Sequence, residues 1–321
     1  MERKILLFLV IALGFNLYGQ QDSLWNKDII KKNKIRTVTF YEYDYVNGKP
    51  ETDGVKTRVD SFDTNGQRVL QTYYRENGLV LSISTSKYDS KGNRVFQTKQ
   101  ADIDGRIKTV FIQDVRFDSK GNKTLEYGYN GIDSFKNVYN YNKYGKLAEV
   151  NFFIKKRLDE KRVFTNNSNS SDLKILDGYG SLKYTQKYLF NSNDKVLQES
   201  TVMPDNTESQ RLEYTYDSKD NMLSETKYLK GKLIYKISYV YKGGLLSEVY
   251  KEGGDGIKFL VAKYTYDAAG NVSEEQTRED AKKDFSKSVY TYDKNNLCKT
   301  IDSYFAKFNK QVLTVIIYQN Y

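Results

Sequence analysis

Residues 88–94 read YDSKGNR and 117–123 read FDSKGNK; 216–221 read YDSKDN and 266–271 read YDAAGN. An Asp, a Gly and an Asn at one spacing put oxygen ligands in a tight turn, which is the chemistry of a calcium loop. Calcium takes about six to eight oxygens, usually several of them carboxylates. Each of these turns offers one Asp and one Asn, with a second Asp only at Asp220, and DSKG adds a lysine, so no metal is expected in them. Turn chemistry explains the same residues. Asp is favoured at the first place of a type I turn and Gly at the fourth. The Asp side chain accepts a hydrogen bond from backbone two residues on, and Gly tolerates positive φ. Asp89–Gly92, Asp118–Gly121, Asp217–Asp220 and Asp267–Gly270 are therefore expected to be hairpin turns. Asp220 and Asn296 stand where Gly is expected, and both residue types tolerate the left-handed conformation.

Other chemistry is sparse. The chain has no histidine, which excludes Ser-His-Asp and Cys-His catalysis and imidazole-ligated metals. Cys298 is the single cysteine, so no intramolecular disulfide forms. It follows Leu297 just after a turn and is expected to be a small buried hydrophobe. Carboxylates are plentiful in turns and on polar strand faces, enough to supply a glycosidase-like pair, and no one constellation stands out among them. EGGDG, from Glu252 to Gly256, lacks the Lys-Ser/Thr ending of a phosphate loop. No catalytic, cofactor-binding or metal residue is assigned and ligand-binding residues are unknown. A protein that is not an enzyme and needs no cofactor is expected.

Turns at one spacing imply strands between them. The aromatic that opens each turn recurs at Phe62, Tyr88, Phe117, Tyr141, Phe164, Phe190, Tyr216, Tyr241, Tyr266, Tyr292 and Tyr318, a period of about 25 residues. Upstream of these anchors, RLEYTYD sets Leu212, Tyr214 and Tyr216 on one face and Arg211, Glu213 and Thr215 on the other. KLIYKISYVY extends the pattern through Leu233, Tyr235, Ile237, Tyr239 and Tyr241. Alternation with period two is the strand signature. A more polar strand follows each turn, as in RVFQTKQADI and MLSETKYLKG, and then a second turn at Asn77-Gly78, Asp104-Gly105, Lys230-Gly231 or within EGGDG. The expected fold is all-β: an array of about eleven hairpin repeats forming a twisted or spiralling antiparallel sheet. The tyrosine face is expected to be its core ladder; tyrosines exposed for stacking on sugar rings are the alternative.

The division expected is a leader at 1–19, an N-terminal cap at 20–45 and a repeat domain at 46–321. In the cap, Asp22 or Ser23 starts a short helix through Lys32, and a strand runs from Ile35 to Asp44, covering the sheet edge. The final run VLTVIIYQNY is apolar on both faces, with Val312, Thr314, Ile316 and Tyr318 on one and Leu313, Val315 and Ile317 on the other. It is expected to pair with the strand around Tyr304 and to be covered on its second face.

Tyr-x-Tyr-Asp-x-x-Gly, as in YTYDAAGN at 264–271, resembles the YD repeat of the RHS family. The resemblance covers residues 60–321, one motif per repeat, and is clearest at 88, 117, 216, 266 and 292. The family's Gly-Arg-Leu after the turn is mostly Gly-Asn here. The resemblance implies a spiralling antiparallel sheet and an extracytoplasmic setting; in large members such a sheet wraps into a shell around a toxin. No toxin domain and no proline-containing cleavage motif are expected, the two prolines being Pro50 and Pro204.

Arg3 and Lys4 precede the apolar run ILLFLVIALGF from Ile5 to Phe15, and small Gly19 precedes Gln20. This is the pattern of a cleaved signal peptide, since a membrane helix needs about 20 apolar residues. The net charge is +10, carried by scattered lysines that favour solubility and protect strand edges, so no nucleic acid partner is expected. The expected function is that of an exported non-enzymatic repeat protein, a structural or binding module, secreted, periplasmic or at the cell surface. Its partner is unknown, with an envelope glycan or another protein as candidates, and it is expected not to span a membrane after signal cleavage. The alternatives are an outer-membrane β-barrel and a glycan-binding surface protein using exposed tyrosines. NVSEEQTRED argues against the barrel: Val272, Glu274, Gln276 and Arg278 share one face and Ser273, Glu275, Thr277 and Glu279 the other, and neither suits hydrocarbon.

Overall fold

The computed structural model describes residues 27–321; the leader at 1–19 and the helix start at Asp22 or Ser23 lie outside the described residues. Helix α1 (Lys27–Lys32) leads into β1 (Ile35–Val46) and a short return strand, β2 (Lys49–Pro50). From β3 (Val55–Phe62) to β23 (Lys310–Asn320) the chain is an antiparallel meander in which each strand pairs with the next in sequence. The turns at Asp89, Asp118, Asp217 and Asp267 are the expected hairpins: Gly92, Gly121, Asp220 and Gly270 donate their N–H to the carbonyls of those aspartates at 3.0–3.1 Å. Asp220 and Asn296 have φ of 64° and 60°.

The sheet is not the expected open or spiralling array. β1 pairs along one edge with β3 (Val38 to Asp60, Phe40 to Arg58) and along the other with β23 (Val38 to Tyr318, Phe40 to Ile316). With β2 only an appendage of β1, the ring closes through 22 strands. The cause recurs at the anchors. Thr215 pairs with Ser224 but Tyr216 with Met222, so Leu223 is an extra residue bulged out of the ladder; the same register shift precedes Phe62, Tyr88, Phe117, Phe190, Tyr241, Tyr266 and Tyr292. A bulge bends its strand and increases the local twist. Adjacent strands already rotate by about 20–25°, and a bulge in almost every repeat curls the sheet until β23 meets β1. Pairing those two removes both free edges.

Closure also corrects the expectation that the chain does not span a membrane. An open sheet leaves edge N–H and C=O groups that hydrocarbon cannot satisfy, whereas a closed ring satisfies them between strands and is the architecture in which strands cross bilayers. Among the described residues no helix is long and apolar enough to cross a membrane, which says nothing of a strand barrel.

The ring is hollow. Its perimeter across the strands is about 105 Å at the usual strand spacing, too wide for side chains from opposite walls to fill, and the substantial strand contacts are all between ring neighbours. Side chains converge on the concave face and diverge on the convex one. The tyrosine face is the concave one: Val38, Phe40, Phe62, Leu212, Tyr214, Ile237 and Ile316 are all buried on it. On the other face Leu189, Val240 and Ile317 remain exposed. α1 lies in the mouth at the rim of the aspartate turns, where Ile30 packs with Ile35, Val38, Phe40, Phe62, Leu297, Ile301 and Ile316.

The final strand differs from expectation on one face. β23 pairs with β22 (Cys298–Phe305), Ser303 facing Val312 and Tyr304 facing Gln311, as the sequence implied. Its second face is not covered, since Ile317 is 47% exposed. The apolar strand secures its second edge, against β1, rather than its second face.

Candidate functional site: the tyrosine-lined inner face

The anchor tyrosines are joints between hairpins. Tyr216 donates its hydroxyl hydrogen to the carbonyl of Val196 at 2.9 Å, Tyr266 to Leu246 at 2.7 Å, Tyr292 to Val272 at 2.9 Å and Tyr318 to Cys298 at 2.7 Å. Tyr88, Tyr141 and Tyr241 do the same to Arg68, Lys123 and Met222 at 2.9–3.0 Å. Each accepting carbonyl lies at or near the start of the polar strand of the preceding hairpin. The ring packs on the inner face while the hydroxyl ties one repeat to the one before. Nothing in the sequence pattern marks these bonds, because the acceptor is backbone.

The aspartate turns are self-contained. Asp89 Oδ1 accepts the N–H of Lys91 and of Asn93 at 2.9 Å, and Asn93 Nδ2 donates to Asp89 Oδ2 at 3.0 Å. Asp217 with Lys219 and Asn221, and Asp267 with Ala269 and Asn271, repeat the arrangement. The Asn side-chain bond, with the backbone N–H bonds, holds the carboxyls of Asp89, Asp118, Asp217 and Asp267 below the usual aspartate range. Their oxygens are occupied by the turn itself.

Other singled-out residues have structural places. Cys298 is 3% exposed and belongs to the apolar cluster under α1. EGGDG forms a hairpin turn in which Gly253 N–H donates to the Ile257 carbonyl and Gly256 N–H to that of Gly253. No three acidic, cysteine or histidine side chains gather as a metal cage among the described residues.

What the sequence did not mark is a set of inward carboxylates set between tyrosines. Tyr139 donates to Glu126 Oε2 at 2.8 Å, Tyr235 to Glu225 Oε1 at 2.8 Å and Tyr290 to Glu275 Oε2 at 3.1 Å. Gln113 adds a second donor to Glu126 at 2.6 Å. The signal was legible in retrospect: Glu126, Glu199, Glu225 and Glu275 stand at one offset after the anchors Phe117, Phe190, Tyr216 and Tyr266. Next to the seam, Arg58, 3% exposed, is bonded to Asp60, 0% exposed, and stacks over the Phe40 ring at 4.5 Å. Two shallow concavities open on the inner face. One, of about 320 Å³, has Phe135, Phe152, Asn137 and Arg162 in its wall; the other, of about 290 Å³, has Tyr88, Gln113, Phe117 and Lys123. The inner surface is thus aromatic and hydroxyl-rich, and it bears both carboxylates and the cations Arg58, Lys123 and Arg162.

No family model and no curated protein matches the chain. Among solved structures, TcdB2-TccC3 is similar at 11% identity and a TM-score of 0.32, over 88% of this chain and 20% of that one. A porin-like protein from Bacteroides uniformis ATCC 8492 is similar at 8% identity and a TM-score of 0.30, over 89% of this chain and 98% of that one. Another from Bacteroides vulgatus ATCC 8482 gives 11% identity and a TM-score of 0.18 over 89% and 99%. The chain spans a fifth of TcdB2-TccC3 and nearly all of the two porin-like proteins.

Proposed function

We propose that the protein is an outer-membrane β-barrel whose tyrosine-lined face encloses a hollow interior. The observation that carries this reading is the closure of β1 onto β23. A ring with no free strand edge is what bilayers admit, and an even number of antiparallel strands is the rule for such barrels. The apolar leader read from the sequence supports export. The charges on the outer face stand against it. Lys161 pairs with Glu149 at 2.6 Å and Lys287 with Glu274 at 2.8 Å, all on the convex side. A lysine facing lipid costs about 2–4 kcal/mol at the midplane and about 0–1 near the interfaces. Lys161 lies in the middle of the strand Arg157–Asn166, so the reading requires these charges to stay paired where they face lipid.

Fractionation of expressing cells decides the matter. The membrane reading expects the chain in the outer-membrane fraction after a carbonate wash, with folded and boiled samples migrating differently on a gel. Recovery of folded protein in the periplasm or medium, with none retained by membranes, overturns it. In this reading the YD-like repeat is the hairpin unit from which the barrel wall is built.

A further inference from the structure

Glu199, on β14 (Val196–Val202), and Glu225, on β16 (Met222–Leu229), lie either side of β15 (Glu208–Tyr216). Glu199 pairs in register with Leu212, and Glu225 with Tyr214, the next inward residue along β15. Glu225 is 7% exposed and accepts one hydrogen bond, from the Tyr235 hydroxyl at 2.8 Å. The two carboxylates repel one another. Among the described residues neither forms an ion pair, and Lys227, the next inward residue of β16, bridges to neither. Between them sits Tyr214, 5% exposed, whose hydroxyl is buried with no hydrogen-bond partner and feels the charge of both carboxylates.

This arrangement has two deficits. A buried hydroxyl without a partner is left with its desolvation cost, and two like charges in one site disfavour each other. A dipositive ion that prefers oxygen removes both at once. We propose that Glu199, Glu225 and Tyr214 form a site for a hard divalent cation of calcium's class, reached from the hollow interior. The charge matches, two carboxylates against two positive charges. The phenol oxygen is a neutral third ligand, and waters from the interior complete the six to eight that calcium takes. The aspartate turns differ because their carboxylate oxygens are already filled by N–H donors. Two carboxylates are a low charge count, so the site belongs with the weak class, Kd about 10⁻⁴–10⁻³ M. The proposal rests on the inner face alone and is independent of whether the barrel sits in a membrane.

The test uses the full folded chain and terbium, a calcium-sized hard ion whose luminescence is sensitised by nearby tyrosine. Terbium is titrated with excitation in the tyrosine band, and calcium is then added as competitor. The wild type is expected to give a saturable signal that calcium displaces. Glu225→Gln and Glu199→Gln should each weaken terbium binding at least tenfold, while Glu248→Gln, an outer-face change, leaves it unaltered. Calcium should raise the unfolding midpoint of the wild type and of E248Q but not of the other two. Absence of a saturable signal, or equal binding in wild type, E199Q and E225Q, overturns the site. So does a loss in only one of the two variants, or stabilisation by methylammonium in place of calcium. Neutralising Glu225 relieves repulsion rather than creating it, and the more accessible Glu199 provides a second variant should E225Q fail to fold.

Discussion

The hydroxyl of Tyr241 donates to the backbone carbonyl of Met222 at 3.0 Å, linking the end of one hairpin's aromatic strand to the start of the polar strand of the hairpin before it. The anchor residue therefore contributes twice, through ring packing and through this bond. Tyr241→Phe should cost about 0.5–1.5 kcal/mol, the usual worth of one hydrogen bond. Tyr241→Ala, which also removes a half-buried ring, should cost about 2–3 kcal/mol. Urea unfolding of the two variants separates the contributions. A neutral Tyr241→Phe would show that the hydroxyl is not a joint.

The turn aspartates predict an acid limb. Their folded carboxyls are held below the ordinary value by Asn side chains and backbone N–H groups. A depressed carboxyl contributes stability that is fully present above the unfolded value, about 3.9 for Asp, and is lost as pH falls through the lower folded value. Changing Asp89, Asp118, Asp217 and Asp267 together to Ala should destabilise the barrel at pH 7. The gap to wild type should narrow below about pH 4. A gap that stays constant down to pH 2 would remove the ionised carboxylate from the account.

The parts of this fold that were legible in the sequence are those fixed within one repeat. Alternation in RLEYTYD gave the faces of β15, and Asp-x-x-Gly-Asn gave the turns, because both depend on near neighbours. Closure was not legible. It needs the twist of every bulged hairpin summed around the ring and then a match between β1 and β23, the two ends of the described chain. The bulge itself is invisible locally, since Leu223 reads as an ordinary strand residue. The Glu199–Tyr214–Glu225 grouping was missed for a related reason. Its members come from three strands, and only their common offset from the anchors could have drawn them together.

Gly128 gives a local test of pairing. It lies in β8 (Lys123–Tyr129), and a Cβ there would fall 1.8 Å from the carbonyl oxygen of Ile112 in β7 (Arg106–Phe117). Backbone cannot yield as a flexible side chain does, so the two strands would have to separate. Gly128→Ala should destabilise by about 2 kcal/mol or more, within the class of backbone-clash substitutions. An unchanged unfolding midpoint would mean that the strands approach less closely than described.

The seam is the most direct test of a ring against an open sheet. Thr39 and Ile317 are partners across β1 and β23, both on the convex face. Antiparallel partners have Cα atoms about 4.5–5.5 Å apart, inside the disulfide range of about 4.4–6.8 Å. The variant Thr39→Cys/Ile317→Cys should therefore crosslink on oxidation. The product is one covalent loop whose gel mobility reverts on reduction, and Cys298, buried under α1, should not compete. In an open or spiralling sheet the first and last strands lie apart, and no intramolecular crosslink would form. Removing residues 312–321 should have the complementary effect, since it strips β22 and β1 of a common partner and exposes two edges. Exposed edges pair with other chains, so the truncated protein should aggregate. A truncation that stays monomeric and unfolds cooperatively, together with failure of the 39–317 crosslink, would refute the closed barrel.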